Sequence, residues 1–257
     1  MFRTLKLTSC TFQGDFEATG ATIAAEHSKI IEAALSRFTK DGKIDGSTLR
    51  DDWFPQIKAD VFISHSHKDQ TKAKELAGYL KKAYGLRPFL DCCVWGYAAD
   101  LLKHIDNEYC LNPGGETYDY QKRNGSTSHV HMMLATALGE MLDSAECVIF
   151  LDTPNSISSR EVVEKTSSPW IYYEIGLTRL LRERKPDREP YKSELLENFA
   201  KRAEASLVFE YSIRLDHLVE IDADDLNAWL KAWNGPAVQR PHPLDLLYKI
   251  ASQKTSS

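Results

Sequence analysis

Residues 60–69 read DVFISHSHKD. The apolar run at 61–63 is bounded by polar residues, which is typical of a short buried β-strand. Residues 71–83 follow with Ala73, Leu76, Ala77 and Leu80 at the spacing of one helix face. We therefore predict a strand followed by a helix, the unit from which parallel sheets are built.

The same rhythm continues on the C-terminal side of this unit. Continuous apolar strands that alternate with helices predict a parallel sheet covered on both faces. The fold class expected is α/β, a flavodoxin-like doubly wound parallel sheet with a helical N-terminal extension and C-terminal additions. Further strands are predicted at 88–90, 147–151, 207–209 and 217–221, and further helices at 98–109, 130–142, 170–181, 226–233 and 243–251.

Three regions are predicted along the chain. Residues 1–58 form an N-terminal extension with a helix at 22–38, because this segment is short for a core of its own. Residues 59–212 form the main domain, and residues 213–257 form a strand and helix extension packed on it. The polar, Gly-rich segment 111–128 predicts a long loop.

Composition narrows the function classes. The chain has 257 residues, and 37 Asp and Glu against 32 Lys and Arg leave a net charge of −5. This balance argues against a protein that binds nucleic acid, and the chain has no run of 18 apolar residues that would span a membrane. The start lacks the apolar core of a signal peptide. Five scattered cysteines, with no CxxC pair, predict a reduced, cytoplasmic protein.

Ligands of parallel sheets bind beyond the carboxyl ends of the strands, so the residues that follow each strand are the first candidates. After the first strand, Ser66 and Asp69 have the spacing of a helix capping box. In addition to this capping, the helix N-terminus could face a phosphate, with Lys68 adding charge. No Gly-rich phosphate loop accompanies it.

Asp91 and Trp95 follow the second strand. They are interpreted either as a helix cap and a packing anchor or as contacts to a ribose or a base.

Glu174 is the most informative residue. On the predicted helix it shares a face with Trp170, Ile171 and Leu177. A carboxylate within an apolar stripe is costly unless it is paired or used. A buried salt bridge, a position at the edge of the stripe or a catalytic role would each account for it.

Other chemistries find little support. His129 and His131 diverge on a helix, and the adjacent Cys92 and Cys93 are unsuited to share one ion. No G-x-S-x-G elbow is present to anchor a hydrolase triad. We therefore expect no metal site and no bound cofactor.

Three segments together resemble the TIR (Toll/interleukin-1 receptor) domain family over residues 58–212. DVFIS at 60–64 resembles the first TIR strand, PFLD at 88–91 resembles the strand that enters the BB loop, and SPWIYYE at 168–174 resembles the S-x-W-x-x-x-E segment of enzymatic TIR domains. The chain departs from the family at Ile171, where cysteine is frequent, and at 92–100, which lacks the usual Gly-rich pattern.

The resemblance is to prokaryotic stand-alone TIR enzymes, including those of Thoeris-type antiphage defence. It implies cleavage of the nicotinamide–ribose bond of NAD, which is the substrate, with Glu174 as the catalytic residue. The product would be an ADP-ribose-type signal, linear or cyclic, or the result would be NAD depletion. The implied substrate-binding residues are Ser64, His65, Ser66, Lys68, Asp91, Trp95 and Trp170.

The resemblance also implies a separate effector protein that reads the product and self-association through TIR surfaces. Two other functions stay open. One is a non-catalytic TIR protein-interaction module, and the other is a nucleoside deoxyribosyltransferase-like enzyme, which shares the architecture and a catalytic glutamate.

Overall fold

The computed structural model describes residues 1–8, 10–12, 14–28, 39–40, 43–157, 165–166, 168–187, 211–235 and 241–254. Their strands are β1 (Arg3–Leu7), β2 (Thr39–Lys40), β3 (Lys43–Ile44), β4 (Val61–Ser64), β5 (Pro88–Leu90), β6 (Cys147–Leu151), β7 (Lys165–Thr166), β8 (Tyr211–Ser212) and β9 (Val219–Ile221). Their helices are α1 (Glu17–Ser28), α2 (Gly46–Trp53), α3 (Gln70–Tyr84), α4 (Cys92–Tyr109), α5 (Tyr120–Ser144), α6 (Pro169–Leu180), α7 (Ala223–Asn234) and α8 (Pro243–Lys254), with a 3-10 turn at His67–Asp69.

The central sheet has five strands in the order β5-β4-β6-β1-β9, all paired in parallel. This confirms the predicted α/β class with a parallel sheet. The short pairs β2-β3 and β7-β8 are antiparallel and lie outside it.

Alternate residues of the central strands pack on opposite faces of the sheet, as the pleat requires. Val61 and Ile63 of β4 join a core cluster with residues of α3, α7 and α8. Phe62 joins a second cluster with residues of α2, α4 and α5. Phe150 of β6 packs with Ile171 and Ile175 of α6 in a third. Helices therefore cover both faces, and that explains the continuous apolar sequence of the strands.

β1 is a strand that the sequence analysis did not predict. It runs between β6 and β9, with Leu5 paired to Ile149 on one side and to Val219 on the other. Leu5 and Leu7 are buried in the core, whereas Lys6 contacts Asp152 and Glu220. Residues from the predicted N-terminal extension thus contribute to the centre of the sheet.

The helix predicted at 22–38 coincides with α1 over residues 22–28, and residues 29–38 lie outside the described part. α1 crosses α3 at two glycines. A Cβ added to Gly20 would lie 1.9 Å from the carbonyl oxygen of Lys74, and one on Gly78 would lie 1.9 Å from that of Phe16. The two backbones are therefore close enough to exclude any side chain at either position.

The prediction of a long loop at 111–128 is wrong for its second half, because α5 begins at Tyr120. Asp119 caps this helix by accepting a hydrogen bond from the backbone N–H of Lys122 at 2.9 Å. The first turns of α5 are polar because they are exposed, so no apolar periodicity marks them as helical.

The remaining predicted elements are present in the structure and differ from the prediction only in where they begin and end. The strand at 217–221 appears as β9, and the helices predicted at 98–109, 170–181, 226–233 and 243–251 correspond to α4, α6, α7 and α8. The strand predicted at 207–209 lies outside the described residues. None of the helices described combines the length and the apolar character needed to cross a bilayer.

Candidate functional site

The candidate site lies at the carboxyl edge of the sheet beside β4. The chain passes from β4 to β5 on one side and later returns to β6 on the other, so the topological switch point falls here. Ser64 ends β4 and His65 follows it, whereas Asp91 follows β5. The topology alone brings these residues of separate segments to one edge.

Glu174 reaches this edge from α6. Ser168 caps the helix by accepting a hydrogen bond from the backbone N–H of Ile171, and Pro169 occupies its first position. Glu174 is 1% exposed, and its Oε2 accepts a hydrogen bond of 2.5 Å from the Ser64 hydroxyl. Its Oε1 is buried and has no hydrogen-bond partner among the described residues. The salt bridge offered as one interpretation is thus replaced by a hydroxyl contact.

Burial raises the pKa of Glu174 well above its ordinary value, and the negative charge of Asp91 raises it further. The hydrogen bond from Ser64 acts in the opposite direction because it favours the charged form. The ionisation of Glu174 therefore depends on the charge of any group that enters the site.

His65 and Asp91 form a buried pair at the same edge, with side chains 0% and 1% exposed. Nδ1 of His65 lies 2.7 Å from Oδ1 of Asp91 and 3.3 Å from the carbonyl oxygen of Ile63. The Asp91 contact is an ion pair and not a well-aligned hydrogen bond, since Oδ1 lacks a hydrogen-bond partner in the described structure. The backbone N–H of His65 donates to Oδ2 of Asp91 at 3.4 Å.

Burial alone would lower the pKa of His65. The charge of Asp91, helped by Cys92, outweighs burial and raises that pKa to about 10. His65 is therefore a cation at neutral pH, held against Asp91. Its Nε2 is buried and has no hydrogen-bond partner among the described residues.

A small cavity of about 70 Å³ opens in front of this pair, lined by His65, His67, Asp91, Cys92 and Ser168. Sites for drug-sized ligands are typically about 300–1,000 Å³. The cavity in this conformation is therefore much smaller than a dinucleotide.

The residues after β4 only partly follow the predicted capping box. Ser66 caps the 3-10 turn by accepting a hydrogen bond from the backbone N–H of Lys68 at 3.4 Å. Asp69 is buried, and its carboxylate accepts hydrogen bonds from Thr153 and Asn155. Its carboxylate thus ties the turn to the loop after β6, and the reciprocal arm of the capping box is not formed. Lys68 is exposed beside the site.

Asp91 stands at the N-cap of α4, but its side chain makes no capping hydrogen bond. Its partner is His65, which removes the capping interpretation. The side chain of Trp95 lies outside the described part of the structure. Trp170 is half-buried, and its ring meets His131 edge-on at 5.8 Å and Tyr173 at 6.4 Å. These ring contacts account for packing, and they leave the predicted substrate contact of Trp170 untested.

The sequence analysis missed one combination of residues. Ligating atoms of His65, Asp91 and Cys92 all lie within 4.8 Å of one another. No spacing signal reveals this cluster, because His65 follows one strand and the other two residues follow another. Among the described residues, Glu146, His242 and Asp245 form a second such group, at intermediate exposure.

The chain was compared with protein-family models, with curated proteins and with solved structures, and none of the three comparisons finds a match.

Proposed function

We propose that this chain is a TIR-type enzyme that cleaves the nicotinamide–ribose bond of NAD, with Glu174 as the catalytic residue. The observation that carries the proposal is the carboxyl group of Glu174, buried at the switch point with one oxygen held by Ser64 and the other without a hydrogen-bond partner in the described structure. A buried carboxylate without a cation is costly and indicates a functional role.

The strand order supports the flavodoxin-like TIR fold as the finer assignment. β4 and β6 flank the switch point and β5 lies on the other side of β4, as at the start of the flavodoxin-like order. The next position is taken by the N-terminal strand β1 and not by a strand that follows β6 in the chain. All three resembling segments end at this edge, at Ser64, Asp91 and Glu174.

The chemistry suits the electrostatics of the site. Cleavage passes through a transition state with positive charge on the ribose, and nicotinamide leaves as a neutral base. Water, which then gives up a proton, or an adenine or ribose atom of the same NAD molecule forms the new bond to the ribose. A positive ribosyl centre beside Glu174 favours the ionised carboxylate, reversing the effect of burial and of Asp91 on its pKa. Glu174 would then stabilise the charge where it develops, which is the largest contribution in many enzymes.

The neighbouring residues have proposed roles around this centre. Ser64 would hold the carboxylate of Glu174 in one orientation through its 2.5 Å hydrogen bond. His65, kept cationic by Asp91, and the N-terminal turn at Ser66 and Lys68 would face the pyrophosphate, since cations and free N–H groups bind phosphates. Trp170 stays a proposed contact to the base or the ribose.

The cavity must widen before NAD can enter, because its 70 Å³ is too small for a dinucleotide, and it must extend to Glu174, which is buried and is not among the residues that line it. That small volume favours a second candidate function, a non-catalytic TIR module that acts through protein contacts.

One experiment separates these functions and the deoxyribosyltransferase alternative. Purified protein is incubated with NAD and, separately, with nucleosides, each with and without lysate of phage-infected cells, and products are resolved chromatographically. Nicotinamide release that is lost in Glu174→Gln supports the proposal. Base exchange between nucleosides would indicate the deoxyribosyltransferase, and no turnover in any condition would indicate the interaction module.

A further inference from the structure

We propose that His65, Asp91 and Cys92 bind one Zn²⁺ ion, with the fourth coordination position open to the cavity in front of them. Their ligating atoms lie within 4.8 Å of one another. This binding site goes beyond NAD cleavage. Zn²⁺ would displace the proton that His65 carries in the metal-free protein, because only a neutral imidazole binds a metal, and the ion would then supply the positive charge beside Asp91.

The donor set selects the class of metal. An imidazole nitrogen, a carboxylate oxygen and a thiolate sulfur together suit Zn²⁺, whereas Mg²⁺ and Ca²⁺ prefer oxygen ligands alone. Cys92 is not part of a disulfide, so its sulfur can exist as a thiol or thiolate.

The two buried ligands carry polar atoms that the protein leaves unsatisfied. Nε2 of His65 and Oδ1 of Asp91 are buried, and neither has a hydrogen-bond partner in the described part of the chain. A buried polar atom without such a partner costs free energy. The side chains that bear them are 0% and 1% exposed. A cation bound to Oδ1 of Asp91 would give that atom a partner in addition to His65.

The positions need only small adjustments. Zn²⁺ binds nitrogen and oxygen at about 2.0–2.2 Å and sulfur at about 2.3 Å, so tetrahedral ligand atoms stand roughly 3–4 Å apart. His65 and Asp91 are already closer than this, at 2.7 Å. Cys92, at the first residue of α4, is half-buried and so less enclosed than the other two ligands.

The cavity supplies the fourth position. Its 70 Å³ is lined by all three ligands and by His67 and Ser168. A water occupies about 30 Å³ in the liquid, so the cavity holds one or two beside the metal. Three protein ligands with one open position is the arrangement of accessible zinc sites, as opposed to closed structural sites.

Cobalt substitution tests the proposal through the thiolate. The full chain is freed of metal with a chelator and titrated with Co²⁺, and the thiolate-to-cobalt charge-transfer absorption is recorded. We expect this absorption to saturate at one Co²⁺ per chain and to disappear on adding one equivalent of Zn²⁺. The second cluster, Glu146, His242 and Asp245, has no thiolate and cannot produce it.

Two serine variants form the matched pair. Cys92→Ser should abolish the absorption and weaken Zn²⁺ binding, measured by calorimetry, at least about tenfold, since even outer-shell partners of a metal are worth that much. Cys10→Ser, also at a half-buried cysteine but outside the cluster, should leave both unchanged. His65→Gln should weaken Zn²⁺ binding while retaining the thiol. Melting curves establish which variants are folded before titration.

The assignment is overturned if the wild-type chain shows no thiolate absorption, or if Cys92→Ser binds Zn²⁺ as tightly as the wild type. Equal loss in Cys10→Ser would overturn it as well. Because none of these readouts uses NAD, the inference stands or fails separately from the proposed enzyme activity.

Discussion

The hydroxyl of Ser64 donates a 2.5 Å hydrogen bond to Glu174 across 110 residues of sequence, joining the end of β4 to the middle of α6. Both side chains are buried. The bond fixes one carboxylate oxygen and leaves the other without a hydrogen-bond partner in the described structure. The orientation of Glu174, and through it the proposed chemistry, therefore depends on Ser64, which is distant in sequence.

Glu174→Gln should abolish nicotinamide release. The amide keeps the volume and can still accept from Ser64, but it cannot carry the charge that would stabilise a ribosyl cation. Loss of one preorganised stabilising group costs about 10²–10³ in rate. The rate is measured by chromatography of nicotinamide at saturating NAD. A folded variant that turns over NAD at the wild-type rate would contradict the catalytic assignment.

The same variant should change how stability depends on pH. The pKa of Glu174 is raised in the folded protein, so the group contributes stability below its unfolded pKa near 4.5, and this is lost as pH rises towards the folded pKa. Glu174→Gln cannot lose a proton. Its free energy of unfolding relative to wild type should therefore increase as pH rises above 4.5. Urea unfolding at several pH values measures this, and a difference that is constant with pH would show that Glu174 ionises normally.

The rate of NAD cleavage should increase with pH as Glu174 ionises. Ser64→Ala should move this increase to higher pH. The hydrogen bond from Ser64 lowers the pKa of Glu174, so its removal raises that pKa further. Because hydrogen bonds to charged groups are worth about 1.5–3 kcal/mol, we expect the shift to higher pH to be large enough to measure.

Ser126→Ala is the matched control for this variant. Ser126 donates a comparable 2.6 Å bond to the buried carboxylate of Asp106, away from the site. It should lower stability and leave the pH profile of cleavage in place. A profile that shifts equally in both variants would mean that Ser64 acts through stability alone.

Most strands of the sheet could be predicted because their burial on both faces leaves a visible pattern of apolar residues in the sequence. β4, β5 and β6 are buried on both faces, so they read as continuous apolar runs. β1 escaped prediction because Arg3 and Lys6 interrupt it, and Lys6 forms ion pairs with Asp152 and Glu220, which are distant in sequence.

Within the site, the sequence pointed to single residues but not to the contacts between them. Glu174 could be identified because a carboxylate in an apolar helix stripe is anomalous on local evidence alone. The contacts of Ser64 with Glu174 and of His65 with Asp91 depend on strand order, which the sequence does not state. The cavity volume depends on packing around Cys92 and Ser168 and has no local signature.

Trp170→Ala should reduce NAD cleavage by more than its loss of packing explains, because Trp170 stands one helical turn before Glu174. The ring packs on His131 and Tyr173, so the variant will also be destabilised. Truncation of a core Trp costs about 3–5 kcal/mol, and this half-buried ring should cost less. Melting and NAD turnover are measured on the same preparation. Activity that falls only in proportion to the folded fraction would exclude Trp170 from the site.

Gly78→Ala should destabilise the protein by forcing α1 away from α3. The new Cβ would meet the carbonyl oxygen of Phe16 at 1.9 Å, a backbone atom that cannot rotate aside. Overpacking of this kind costs about 1–3 kcal/mol. Gly125→Ala, at an exposed position of α5 with no atom within 4 Å of the added Cβ, is the matched control and should gain about 0.5–1 kcal/mol from helix propensity. Urea unfolding of both variants gives the comparison. If Gly78→Ala proved as stable as Gly125→Ala, the close crossing of α1 and α3 would not exist in solution, and the N-terminal segment would have to pack on the sheet in another way.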